Sequence, residues 1–202
     1  MQRSGINVIY ITGIWMFLLL ALPSGVHGQD AQSFYQKSTG TNQTAMWILG
    51  SWAAGNMLIS GIAMGKTERS TRYFHQMNVM WNTVNMGIAA FGLLSQAPEF
   101  TSHVPDLVAN HRKMENLYLI NSGLDILYIA GGAYMVHRSG NSTKRPEMLK
   151  GYGQSVMLQG GFLLVFDTAL WLIQRDLRLS QTWDLGMLST PGFSGFQLTL
   201  SF

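Results

Sequence analysis

Cysteine is absent from this 202-residue chain, and Asp, Glu, Lys and Arg together make up only 11% of it. The first absence excludes disulfides, thiolate catalysis, iron–sulfur clusters and cysteine-ligated zinc. The second sets the chain apart from soluble domains, in which roughly a quarter of the residues are charged. The net charge of +3 is scattered over connecting segments and forms no run, so a nucleic-acid surface is not expected. No two His stand four apart, and no phosphate-cradling glycine loop or Ser/His/Asp constellation is visible. The Gly-Tyr-Gly at 151–153 is too short to count as a nucleotide motif. No catalytic residue, metal ligand or cofactor is therefore assigned, and enzymatic activity stays open.

What the chain has instead is 47% hydrophobic residues and 22 glycines, arranged in long segments. Arg3 precedes an apolar run over residues 8–22, and small residues Val26 and Gly28 then stand at −3 and −1 of a cleavage point. This is the three-part form of a secretory signal peptide, so residues 1–28 are expected to be removed; an uncleaved first anchor is the alternative. Residues 29–43 are polar and read as an exported arm. Four apolar stretches follow, at 44–65, 73–96, 115–137 and 149–174. The first, about 22 residues long, reaches ~33 Å as a helix, enough to cross the hydrocarbon of a bilayer. Within it Gly50, Ala54, Gly61 and Gly65 offer small surfaces for close helix approach.

The expected fold class is all-α: an up-down bundle of four transmembrane helices, made of two helical hairpins over residues 44–174. A soluble exported bundle is the competing architecture, since mean hydropathy over the whole chain is only +0.13. Residues 175–202 form a polar tail. Phe196, Leu198, Leu200 and Phe202 alternate at its end with the period of one short strand, either docked alone or part of a mobile tail.

Polar residues break the apolar segments at helical intervals. His75, Asn78, Asn82 and Asn85 are spaced 3, 4 and 3, which puts all four on one face of the second helix. Tyr118, Asn121, Asp125 and Tyr128 repeat that spacing in the third, and Gly132 extends it. The first segment contributes Asn56, and the fourth Gln159 and Asp167. An Asp at a helix centre costs about 2.5–3.5 kcal/mol on insertion, against a gain of roughly 0.3–0.6 for each Leu, Ile, Phe or Val. One interhelical hydrogen bond adds only about 0.6 kcal/mol, so these groups are expected to share one inward-facing network. The polar-core or ligand candidates are thus Asn56, His75, Asn78, Asn82, Asn85, Asn121, Asp125, Tyr128, Gln159 and Asp167. Two roles are open to them: hydrogen-bonded registration of four helices, or a site in which Asp125 and Asp167 handle a proton, cation or small ligand. An axial His75/His137 pair for haem is a third, narrower option. Trp47, Trp52, Trp81 and Trp171 are read as packing or interfacial residues.

Charge placement gives an orientation. The connections 66–72 and 137–150 contain Lys66, Arg69, Arg72, Arg138, Lys144, Arg145 and Lys150, while the opposite side has Lys37, Arg112, Lys113, Arg175 and Arg178. The richer side is expected in the cytoplasm, with both mature termini periplasmic or exterior.

At FHQMNVMWNTVN, NSGLDILYIAGGAYM and GYGQSVMLQGGFLLVFD the chain resembles an uncharacterised bacterial family of small four-helix membrane proteins. The resemblance implies that architecture and no activity. The location expected for the chain is the bacterial inner membrane. The function expected is that of a structural or accessory membrane component; the rival is a small transporter or proton/cation-conducting protein. The lipid bilayer is the expected partner, with a membrane protein or a second copy in addition.

Overall fold

The computed structural model describes residues 31–95, 104–182, 185–190 and 193–198. Four long helices follow one another: α1 (Ala31–Met64), α2 (Arg69–Leu94), α3 (Val104–Ser139) and α4 (Pro146–Thr182). Two strands, β1 (Leu185–Thr190) and β2 (Phe193–Leu198), then pair antiparallel, with Leu185 opposite Leu198 and Thr190 opposite Phe193. The expected signal peptide lies outside the described residues. Phe196 and Leu198 of the expected strand lie in β2, while Leu200 and Phe202 lie outside the described residues; the partner strand was not revealed by alternation, because LGMLST carries no period-2 apolar pattern.

Each helix begins or ends where local chemistry permits. Pro146 opens α4, where its missing N–H breaks no helical bond. Ser95 closes α2, its N–H donating to the Phe91 carbonyl at 2.8 Å. His137 and Arg138 lie in the last turn of α3, on the negative side of the helix dipole.

Three helices run further than the apolar stretches do. Residues 31–43, expected as an arm, are the first turns of α1, and residues 104–114, expected as loop, open α3. Tertiary contacts explain both extensions. Phe34 is buried with its ring 4.9 Å from that of His111, and Leu107 is buried as well. Thr39 and Thr41 turn their hydroxyls back onto the carbonyls of Tyr35 and Lys37, each at 2.8 Å. At the other end of the chain α4 continues eight residues past 174, far enough for Arg178 to reach Glu115.

α1 packs along α2, α2 along α4, and α4 most extensively along α3; α1 meets α3 and α4 more lightly. Trp81 and Tyr128 connect α2 to α3 edge to face, with centroids 4.8 Å apart. α2 and α4 start at the same end, where the Ser70 N–H donates to the Glu147 carboxylate at 3.0 Å. Close approach depends on glycine at two crossings. A Cβ on Gly132 would lie 2.7 Å from the Gly153 carbonyl oxygen, and one on Gly151 would collide with the Ser70 carbonyl and sit 2.7 Å from the Phe74 nitrogen. Of the small residues singled out in α1, Gly50 meets Ala89, whereas Gly61 faces open space.

The distribution of side chains is the reverse of that in a water-soluble bundle. Asn82 and Gln159 are 0% exposed and Asp125 2%, while Leu58 is 68%, Leu127 65% and Phe91 76% exposed. α1, α3 and α4 are each long and apolar enough to cross a membrane. α2 is not among them, because the stripe of polar residues that it buries lowers its hydropathy. A compact apolar cluster of Ala45, Leu49, Ala89, Tyr118, Phe166 and Leu170 fills the half of the bundle nearer the start of α1.

Candidate functional site

The polar interior divides into three groups. The first centres on Asn78. Its Nδ2 donates to Asn56 Oδ1 at 3.0 Å and lies 2.7 Å from Ser60 Oγ, both on α1. Its Oδ1 accepts from Gln159 of α4 and from Asn82 at 3.3 Å. Gln159 in turn accepts the Trp52 indole N–H at 3.0 Å, and the Trp52 ring stacks on Phe162 at 3.9 Å. His75 Nδ1 lies 3.1 Å from Ser60 Oγ, and Asn85 contacts Asn82 at 3.5 Å. One side chain therefore ties α1, α2 and α4 together, with both faces of its amide in use.

The second group lies between α3 and α4. Asp125 of α3 and Asp167 of α4 neighbour one another there, both buried, and Asp125 Oδ2 has no hydrogen-bond donor among the described residues. Two carboxyl groups side by side in a closed interior can share a hydrogen bond only if one of them holds a proton. Beside them Thr168 Oγ1 lies 3.3 Å from Ser122 Oγ, which donates to the Tyr118 carbonyl at 3.0 Å.

The third group closes the end where α1 and α3 begin. His111 sits between Ser38 Oγ, 2.8 Å from Nδ1, and the Gln174 carbonyl, 2.7 Å from Nε2. Because the carbonyl can only accept, Nε2 carries the proton and Nδ1 accepts from the serine. Asn42 Oδ1 accepts from Tyr118 at 2.9 Å and from Gln174 at 2.8 Å. Arg178 grips Glu115 with a two-pronged contact, Nε to Oε2 at 2.6 Å and Nη2 to Oε1 at 3.0 Å.

Of the ten candidates, Asn56, His75, Asn78, Asn82, Asn85 and Gln159 thus fall in the first group, and Asp125 and Asp167 in the second; Asn121, expected to face inward, is exposed one turn before Asp125. Tyr128 belongs to neither; it is 37% exposed and packs on Trp81. His75 turns its Nδ1 to Ser60 of α1, while His137 is exposed at the end of α3. Among the described residues no three His, Asp or Glu side chains come together as a metal site.

Sequence spacing holds a signal of this third group: His111, Glu115, Tyr118, Ser122 and Asp125 continue one stripe at 4, 3, 4 and 3. The charges of Arg112 and Lys113 mask it, because they end the apolar stretch at 115 while the helix runs on.

The structure is that of an all-α chain of four long helices with a polar interior and apolar flanks. The chain belongs to a family of unknown function, DUF6992, whose model matches residues 48–168. That stretch contains all ten candidate residues. Neither a curated protein nor a solved structure matches the chain.

Proposed function

We propose that this chain is a multi-pass component of a bacterial inner membrane, with both mature termini on the periplasmic side and a structural or accessory role. The observation that carries the reading is the reversed distribution of side chains: amides and carboxyls inside, Leu, Ile and Phe outside. Lipid is the solvent that makes such a surface favourable, and interior hydrogen bonds then hold helices for which hydrophobic burial offers no drive. α2 enters as the fourth span because its outward residues Met80, Val84, Ile88, Phe91 and Leu94 are apolar, while its polar stripe is satisfied by α1 and α4. Alkaline carbonate extraction tests this: the chain stays in the pellet, and release to the supernatant would refute membrane integration.

A second reading has its own observation. The neighbouring carboxyls of Asp125 and Asp167, both buried and with Asp125 Oδ2 reached by no donor among the described residues, form a group that can hold and release a proton within the bundle. Purified protein in sealed vesicles, loaded with a pH-sensitive dye, decides it. Conduction predicts a proton or cation flux that Asp125→Asn abolishes; absence of flux leaves the structural role.

A further inference from the structure

The end of the bundle formed by the two short connections contains a cavity of about 800 Å3, and Arg69, Arg72 and Arg145 are part of its wall. No guanidinium of the three has a side-chain hydrogen bond or an ion pair among the described residues. Of the two acidic residues in the wall, Glu147 is already engaged by the Ser70 N–H. Over 66–72 and 137–150 together, seven Lys and Arg face two Glu.

The backbone adds to this positive charge. Glycine at 151 lets the first turns of α2 and α4 touch, so two helix N-termini start side by side and point the same way. Their partial positive charges reinforce one another, and most of their first N–H groups have no helical acceptor. Arg69 and Arg145 are also the non-glycine residues with positive φ among the described residues, at 52° and 55°. Both stand at the openings of these helices, so the least favourable backbone in the bundle places cations at the cavity rather than in open solvent. Tyr73 and Gln76 supply neutral donors, and Met64 and Met148 an apolar margin.

We propose that this cavity binds a phosphate-bearing anion, gripped by Arg69, Arg72 and Arg145 over the joined N-termini of α2 and α4. The planar guanidinium fork fits phosphate oxygens, and the helix ends favour negative charge. Two sources share this chemistry: the headgroup of an anionic phospholipid, which rests on the membrane placement proposed above, and a soluble phosphate, which does not.

The test uses the full chain purified in a neutral detergent. Native mass spectrometry is run with phosphatidylglycerol against phosphatidylcholine, and equilibrium binding with radiolabelled inorganic phosphate. Binding of either phosphate that weakens about tenfold in the Arg72→Ala/Arg145→Ala variant, and not in Lys113→Ala at the far end, supports the site. Should the double variant not fold, as judged by circular dichroism and gel filtration, Arg72→Lys replaces it; loss of the fork with charge retained is expected to weaken binding several-fold. Retention of phosphatidylglycerol over phosphatidylcholine without competition by inorganic phosphate identifies a lipid headgroup; arginine-dependent binding of inorganic phosphate identifies a soluble ligand. Binding of neither, or binding that ignores the arginines, overturns the proposal. A chain that carbonate releases but that still binds inorganic phosphate through these arginines would keep the site and lose the membrane placement.

Discussion

Asn78 contributes through the number of groups that depend on it. Replacing it by Leu leaves Gln159 and Asn56 each short of a partner in a closed interior, where an unsatisfied polar group costs about 1–3 kcal/mol. Asn78→Leu is therefore expected to lower the thermal midpoint in detergent by several degrees, read by circular dichroism, whereas Asn121→Leu, on an exposed position, changes it less. A midpoint unchanged in Asn78→Leu would show that the network does not hold the helices. Arg178 offers the complementary case. Arg178→Leu strands the Glu115 carboxylate in a partly buried position, where an unsatisfied polar group costs about 1–3 kcal/mol. Arg178→Leu/Glu115→Leu should recover much of that loss, and a double-mutant cycle on unfolding measures the difference. These residues also show what the sequence could disclose. The Asn stripe was legible because three amides and a His at helical spacing on an apolar helix must face inward. Gln174 was not, since it is one polar residue beside a charged neighbour and acquires meaning only when α1 and α3 are brought to it, and His111 was legible only as a spacing, not as a residue with partners.

For the helices as units, the contacts that decide packing are backbone on backbone. Gly151→Leu and Gly132→Leu each force a side chain into the main chain of the neighbouring helix, for which overpacking costs of about 1–3 kcal/mol are typical. Gly61→Leu meets nothing and is expected to be neutral. The comparison, by thermal unfolding in one detergent, separates glycines that set a crossing from those that merely lie in a helix. Sequence spacing did not distinguish them, because a small residue looks the same whether or not another helix crosses there. Helix existence was legible for all four helices; their ends were not. An apolar stretch ends where lipid would end, but the hydrogen-bonded helix continues for as long as a neighbour covers it. At ~1.5 Å per residue the 36 residues of α3 extend about 54 Å, far beyond a hydrocarbon core of about 30 Å.

Taken whole, the molecule is two hairpins joined chiefly along α2 and α4, with α1 and α3 on the flanks. Up-down order and hairpin pairing were readable from four stretches and their short basic connections. Which helices would be central was not, since polarity alone does not say which neighbour takes up the amides. The central position of α2, the least apolar, follows from where its amides find partners. Orientation is the prediction at this scale. A protease-accessible tag placed after residue 202 should be cleaved from the periplasmic side of intact cells, while one inserted at 141–143 should be protected. The opposite result would reverse the topology.

The bond between Asn78 and Gln159 joins residues 81 positions apart. For a chain delivered to the bilayer from its N-terminus, the ribosome makes α2 long before it makes the amide that completes its polar face. α1 can shelter only part of that face, through Asn56 and Ser60. Biogenesis then has a built-in delay: truncated nascent chains ending ahead of α4 should hold α2 loosely, accessible to a membrane-impermeant labelling reagent, and lock it only once residue 159 has emerged.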